Sequence, residues 1–256
     1  MIPTGADPAC QGPRPIVTYA HGTSVERSFN IADITNEDNA EGLLMAVGFA
    51  ARGYIVVAPN YAGFDTSALD YHPFLHAEQQ SNDTADAVAA ARSALPTSFA
   101  PMATDAGKLF ITGYSQGGDV AMATHRLMQQ SGTSVTASAP MSGPYALGAF
   151  GDAVFYGQVV RSAPLFVAYL STGYQRAYGD IYSTPTDMFE ARYATGIDAL
   201  LPTSGSRSDL FAQARLPADQ LFSSTPPDPA YAQYTPATTP AELAHVFALG
   251  FGPEHL

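Results

Sequence analysis

The sequence predicts an α/β fold, a mostly parallel sheet with helices on both faces, and three observations carry that reading. Short β-branched and aromatic runs alternate with longer segments of helical period. One run, Tyr54-Ile55-Val56-Val57-Ala58-Pro59, is apolar throughout, as a strand covered on both faces must be. Glycine closes several segments, at Gly22, Gly53 and Gly113, where the chain must turn.

The elements follow in order. Residues 16–20 (Ile-Val-Thr-Tyr-Ala) are the first strand, ending at His21-Gly22-Thr23. Residues 40–52 carry Leu43, Leu44, Val47, Ala50 and Ala51 at helical spacing and stop at Gly53, a C-terminal helix signal. Residues 54–59 are the second strand, 77–95 a helix, 108–113 the third strand, 117–130 a helix and 134–139 a fourth, small-residue strand. Strands and helices of these lengths imply right-handed crossovers onto a parallel sheet. Beyond Gly143 the alternation stops. Residues 144–235 read as an inserted helical cap, with helices over 154–169 and 186–200 and a linker over 223–229, and residues 236–256 as a C-terminal helical segment. The core is residues 1–143.

Composition narrows the function. A chain of 256 residues with 46 % hydrophobic and 13 % charged residues buries one sizeable core and is not disordered. The net charge is −12, and Lys108 is the sole lysine, so no basic cluster exists to neutralise phosphates and no nucleic-acid partner is expected. Cys10 is the only cysteine, which rules out a disulfide within the chain; a missing partner and a plain thiol both remain open. Residues 1–7 lack the charged and apolar regions of a signal peptide, and apolar stretches such as 43–51 are too short to cross a bilayer, so a soluble chain is expected. No cofactor and no metal is expected.

Gly113-Tyr114-Ser115-Gln116-Gly117-Gly118 is the centre of the functional reading. A serine hydroxyl becomes a nucleophile when a base reaches it and its Oγ stands clear of the chain. A sharp strand-to-helix turn achieves this but crowds the backbone, so the residues two before and two after must be small. Here both are glycine. With 22 glycines in the chain, chance alone gives roughly 0.14 such matches, so context has to decide. An apolar strand precedes the motif and a helix with an apolar face (Val120, Ala121, Ala123, Thr124, Leu127) follows it. Ser115 is therefore the candidate nucleophile on an elbow formed by Gly113 and Gly117. The loop after the first strand, Gly22 and Thr23, supplies one oxyanion N–H and Gln116 the other. Glycine at 22 is expected to let the backbone approach a substrate.

These three segments, Tyr19-Ala20-His21-Gly22-Thr23, residues 53–63 and the elbow, resemble the secretory lipase and carboxylesterase branch of the α/β-hydrolases in order and spacing. The resemblance spans about residues 14–145. It implies the α/β-hydrolase fold, ester hydrolysis through an acyl-enzyme, a small-molecule or lipid ester substrate, export, and a cap insertion. That branch usually carries Asp-Tyr where this chain has Asn60-Tyr61.

On this fold the acid and base follow the serine in the order Ser, Asp/Glu, His. After Ser115 the chain offers His125, His245 and His255. His125 is expected on the exposed side of its helix, away from the serine. One reading makes residues 164–170 a late strand, with Asp180 as acid and His245 as base. The other, which the sequence favours, makes the chain a fragment incomplete at both ends. The leading function is ester hydrolysis, with Phe155, Tyr156, Phe166, Tyr169 and Tyr174 lining an acyl pocket or packing the cap. The alternatives are a serine peptidase or acyltransferase, or a catalytically dead binding protein on the same fold.

Overall fold

The computed structural model describes residues 1–3, 11–36, 39–99, 103–155, 162–217 and 221. They divide into two compact units. One comprises Met1–Ser24, Ser28–Asp70 and Leu75–Tyr145, and the other Val25–Arg27, Tyr71–Phe74 and the chain from Ala146 onward.

The first unit holds the sheet. Its elements are β1 (Pro13–Ala20), α1 (Ala40–Gly48), β2 (Ile55–Val57), α2 (Ala77–Ser98), β3 (Thr104–Tyr114), α3 (Gln116–Gln130) and β4 (Ala137–Met141). All pairings are parallel, in the order β2-β1-β3-β4. Side chains alternate across a strand. From β1, Ile16 and Ala20 enter a core with Ile55, Leu109 and Ile111, where Val88 of α2 and Val120 of α3 cover them. Tyr19 points to the opposite face, with Met45 of α1, Ile31 and Val56. Helices thus cover both faces, and this explains why the strands read as continuous apolar runs.

Two local expectations are corrected. The helix over 40–52 is real, continuing as a 3-10 turn at Ala50–Arg52 and ending on left-handed Gly53, but it faces the other way. Gly42 and Met45 are buried, while Leu43, Leu44 and Val47 are 51 %, 61 % and 61 % exposed. A Cβ at Gly42 would run into the Ile31 carbonyl, so this helix packs through a position without a side chain. The fourth strand begins later than expected, at Ala137. Thr136 instead ties the turn to β3, its N–H donating to Leu109 O (2.8 Å) and its hydroxyl accepting from Leu109 N (3.2 Å).

The second unit contains α4 (Leu147–Phe155), α5 (Ala163–Tyr178), α6 (Ala191–Ala194) and α7 (Arg207–Ala212). The single helix expected over 154–169 is two. Pro164 sits in the first turn of α5, where its missing N–H costs nothing, so the helix starts there and runs on to left-handed Gly179. The helix expected over 186–200 is broken into short turns: Thr184 and Asp187 cap one at Pro185–Asp187, and left-handed Gly196 separates α6 from another at Ile197–Ala199. Tyr169 and Tyr174 are buried inside this unit, and the ring of Tyr169 stacks on Phe74 at 4.8 Å. They pack its interior. The side chain of Phe155, Tyr156, Cys10, the linker over 223–229 and the segment 236–256 lie outside the described residues. Among the described residues no helix is long and apolar enough to cross a membrane.

Candidate active site

Ser115 lies between the end of β3 and the first residue of α3, with φ 56° and ψ −121°. A side chain at positive φ is strained, by about 1–3 kcal/mol, and persists only where its surroundings enforce it. The enforcement is visible. Ser115 N donates to Met141 O (3.0 Å), and Gly118 N and Asp119 N return to Ser115 O (2.9 and 3.3 Å). A Cβ on Gly113 would overlap the Gly117 carbonyl, and one on Gly117 would overlap the carbonyl of Ala20. Both glycines are there because backbone occupies the space of a side chain. Gly118 is a third such position, unforeseen in the sequence: its Cβ would strike the Met141 carbonyl.

The loop after β1 is held peptide by peptide. In the 21–22 peptide, the carbonyl of His21 accepts from Tyr61 OH (3.1 Å) and the N–H of Gly22 donates to Glu41 Oε2 (2.9 Å). In the 22–23 peptide, the Gly22 carbonyl lies 2.7 Å from His21 Nδ1. The His21 ring is fully buried and stacked on Tyr61, with centroids 4.2 Å apart. Burial holds its pKa below the ordinary value, and its two ring nitrogens each face a carbonyl oxygen, Nδ1 that of Gly22 and Nε2 that of Asn60 at 3.1 Å. In a trans peptide the N–H points opposite to the carbonyl. Anchoring the Gly22 carbonyl on His21 therefore aims the Thr23 N–H away from the histidine. No hydrogen bond of Thr23 N–H is found among the described residues. Gln116 opens α3, where N–H groups point out of the helix end.

The missing side chain of Gly22 makes room for Glu41, whose Oε1 stands 2.7 Å from where a Cβ would be. Asn60, at the place where aspartate is usual in the resembled branch, holds two loops together. It accepts from Ile31 N (2.9 Å) and donates to Asp65 Oδ2 (3.3 Å). A carboxylate there could not make the second bond.

The sequence pattern of the prolyl oligopeptidase family matches residues 44–142. Two crystal structures of the rice cell wall degrading esterase LipA from Xanthomonas oryzae superpose with a TM-score of 0.76. One is 33 % identical over 85 % of this chain and 56 % of that one. The other is 32 % identical over 96 % of this chain and 64 % of that one. The chain belongs to the α/β-hydrolase superfamily. Its structural relatives are esterases and lipases. Lipase A from Candida antarctica shares the fold at 16 % identity and TM-score 0.57, over 92 % of this chain and 52 % of that one. The chain thus spans between half and two thirds of the length of these relatives. No curated protein matches it.

The acid and base candidates are placed differently from Ser115. Residues 164–170 are the first half of α5, not a strand, so Asp180 follows a helix and its left-handed cap. His245 and His255 lie outside the described residues. His125 is half-buried, its Nδ1 2.8 Å from Ser138 Oγ on β4, which corrects the expectation of an exposed position. Among the described residues no cluster of His, Cys, Asp or Glu could hold a metal ion.

Asp119, one turn into α3, is a titratable group near Ser115 that sequence reasoning missed. Burial pushes its carboxyl up to about 6 from 3.8, against the opposing pull of Arg126. Between those two values the folded state holds a proton that the unfolded state has lost, so stability falls as pH rises through that window. Asp119→Asn is expected to raise the melting temperature at pH 7.5 by the equivalent of at most about 2 kcal/mol, with the gain vanishing below about pH 4. Thermal melts of both proteins across pH 3.5–8 check this; a pH-independent difference would refute it.

Proposed function

We propose that this chain carries the nucleophile and oxyanion hole of a serine hydrolase of carboxylic esters, acting on small-molecule or lipid esters through an acyl-enzyme on Ser115. The strained elbow at Ser115 carries the reading, and the esterase and lipase relatives favour esters. In this mechanism Ser115 Oγ attacks the ester carbonyl as a base removes its proton. The N–H groups of Thr23 and Gln116 receive the oxyanion, and water later releases the acid. Gly22 is the other candidate donor for the same hole; its N–H is already engaged by Glu41, and the role passes to Thr23.

Residues 144–235 serve in this reading as a helical cap, residues 1–143 as the core and 236–256 as a C-terminal helical segment. Export and lipid breakdown belong to the same proposal. The acid and base have two sources: Asp180 with His245, or groups from outside residues 1–256. A second reading, a serine peptidase, rests on the match of residues 44–142 to the prolyl oligopeptidase family.

The test compares a p-nitrophenyl ester series with peptidyl p-nitroanilides, using Ser115→Ala as the control. Ester turnover that Ser115→Ala removes is the expected result; turnover of anilides in its place selects the peptidase. Loss of that activity in His245→Ala identifies the base within this chain. Turnover that returns only when further chain is supplied selects the second source.

A further inference from the structure

We propose that Glu41 is a positioning residue for the oxyanion hole, its carboxylate drawing in the Gly22 N–H so that the loop presents Thr23 N–H to the substrate. The inference rests on the reading of Ser115 as nucleophile and deepens it.

The argument begins at α1, because the carboxylate can hold the loop only if its own helix is fixed. Asn39 caps that helix. Its Oδ1 accepts from Gly42 N (3.0 Å), and its Nδ2 lies within 2.9–3.2 Å of the carbonyls of Asn30, Ile31 and Asp33. Asn39 is 4 % exposed, so these bonds are shielded from water. The first turn of α1, and Glu41 with it, is thereby fastened to the 30–33 loop.

From that position Oε2 accepts two bonds at once, from Tyr19 OH (2.6 Å) and from Gly22 N (2.9 Å). Tyr19 comes from the end of β1, so the carboxylate bridges strand and loop. A partner for the tyrosine alone would have no reason to reach the Gly22 backbone. Residue 22 moreover has no side chain, and a Cβ there would stand 2.7 Å from Glu41 Oε1. The glycine and the glutamate are therefore two halves of one arrangement.

Its consequence is directional. The 21–22 peptide is fixed at both ends, by Tyr61 on the carbonyl and Glu41 on the N–H. The 22–23 peptide then pivots only about Gly22, with its carbonyl 2.7 Å from His21 Nδ1. Releasing the Glu41 end frees the plane that determines where Thr23 N–H points. A negative charge near a developing oxyanion opposes it, so what Glu41 contributes is reach, not charge.

That distinction gives the test. Glutamine keeps the reach and an acceptor oxygen, aspartate keeps the charge but falls one methylene short, and alanine keeps neither. The rate of Ser115 labelling by a fluorophosphonate, resolved into inactivation rate constant and probe affinity, is measured for residues 1–256. Glu41→Ala and Glu41→Asp are expected to lower the rate constant at least about tenfold with affinity little changed, and Glu41→Gln to stay within about threefold. Amide exchange at Gly22, read by NMR, is expected to quicken at least about tenfold in the alanine and aspartate variants and to stay slow in the glutamine one. If Glu41→Ala does not fold, the aspartate and glutamine pair carries the comparison.

Wild-type labelling with an equal rate in Glu41→Asp overturns the inference alone. So does a glutamine variant as slow as aspartate, since charge would then be the agent. Folded wild type that leaves Ser115 unlabelled both alone and with the further chain of the second source overturns the hydrolase reading, and the role of Glu41 with it.

Discussion

Ser115→Ala is expected to lower ester turnover by about four to six orders of magnitude, leaving only what binding and the oxyanion donors supply. The same residue makes an opposite prediction for stability. At φ 56° and ψ −121° a side chain is strained, and alanine inherits that strain while glycine does not. Ser115→Gly should therefore melt higher than Ser115→Ala, by the equivalent of about 1 kcal/mol once the larger unfolded-state entropy of glycine is subtracted. Thermal melts of the two inactive variants side by side measure this directly. A glycine variant that melts at or below the alanine one means the turn stores no strain. Turnover that survives in Ser115→Ala removes the nucleophile assignment altogether.

The elbow is legible in the sequence because its steric demand is local. The strand, the serine and the two glycines that make room for it all fall within a few residues, and each leaves its mark in the string. The sheet is legible for a related reason, since strands buried on both faces cannot hide their apolar runs. The face of α1 is not. Nearly every position from Ala40 to Gly48 is apolar or small, so periodicity has no contrast to work with, and the packing is decided by Gly42 against a loop carbonyl. The broken helix over 154–169 does carry a readable signal in Pro164, whose preference for a first turn marks a start and not a middle.

The second half of the site is hidden by distance. Glu41 meets Gly22 across 19 residues, and an acidic residue in the first turn of a helix reads as ordinary dipole compensation. Asn60 and Tyr61 act through a backbone carbonyl and a ring stack on His21, contacts that no spacing rule announces. The direction of the Thr23 N–H follows only once both peptide planes are known. Asp180 shows the reverse error. Its candidacy depends on a strand over 164–170, and an apolar run of this length serves a buried helix equally well.

Gly117→Val is expected to leave no stably folded protein. The space beside Gly117 Cα is filled by the Ala20 carbonyl, and His21 O would lie 2.6 Å from a new Cβ. They belong to the last residue of β1 and the one after it, and β1 is locked in register to β3 through the pair Ala20–Gly113. Moving them means unzipping the central pair of the sheet together with the loop that follows β1. The cost should reach several kcal/mol, a large share of the about 5–15 kcal/mol that holds a domain folded. Gly118→Ala is the informative companion. Its methyl meets the Met141 carbonyl, with Gly143 N 2.9 Å away, at the end of β4. Among the described residues β4 is paired on one side only, so it can yield where β1 cannot. That variant should fold with a loss of about 1–3 kcal/mol. Circular dichroism and urea titration rank the two; a Gly117→Val protein with native dichroism and an unshifted midpoint would show that the turn at Ser115 is not an elbow.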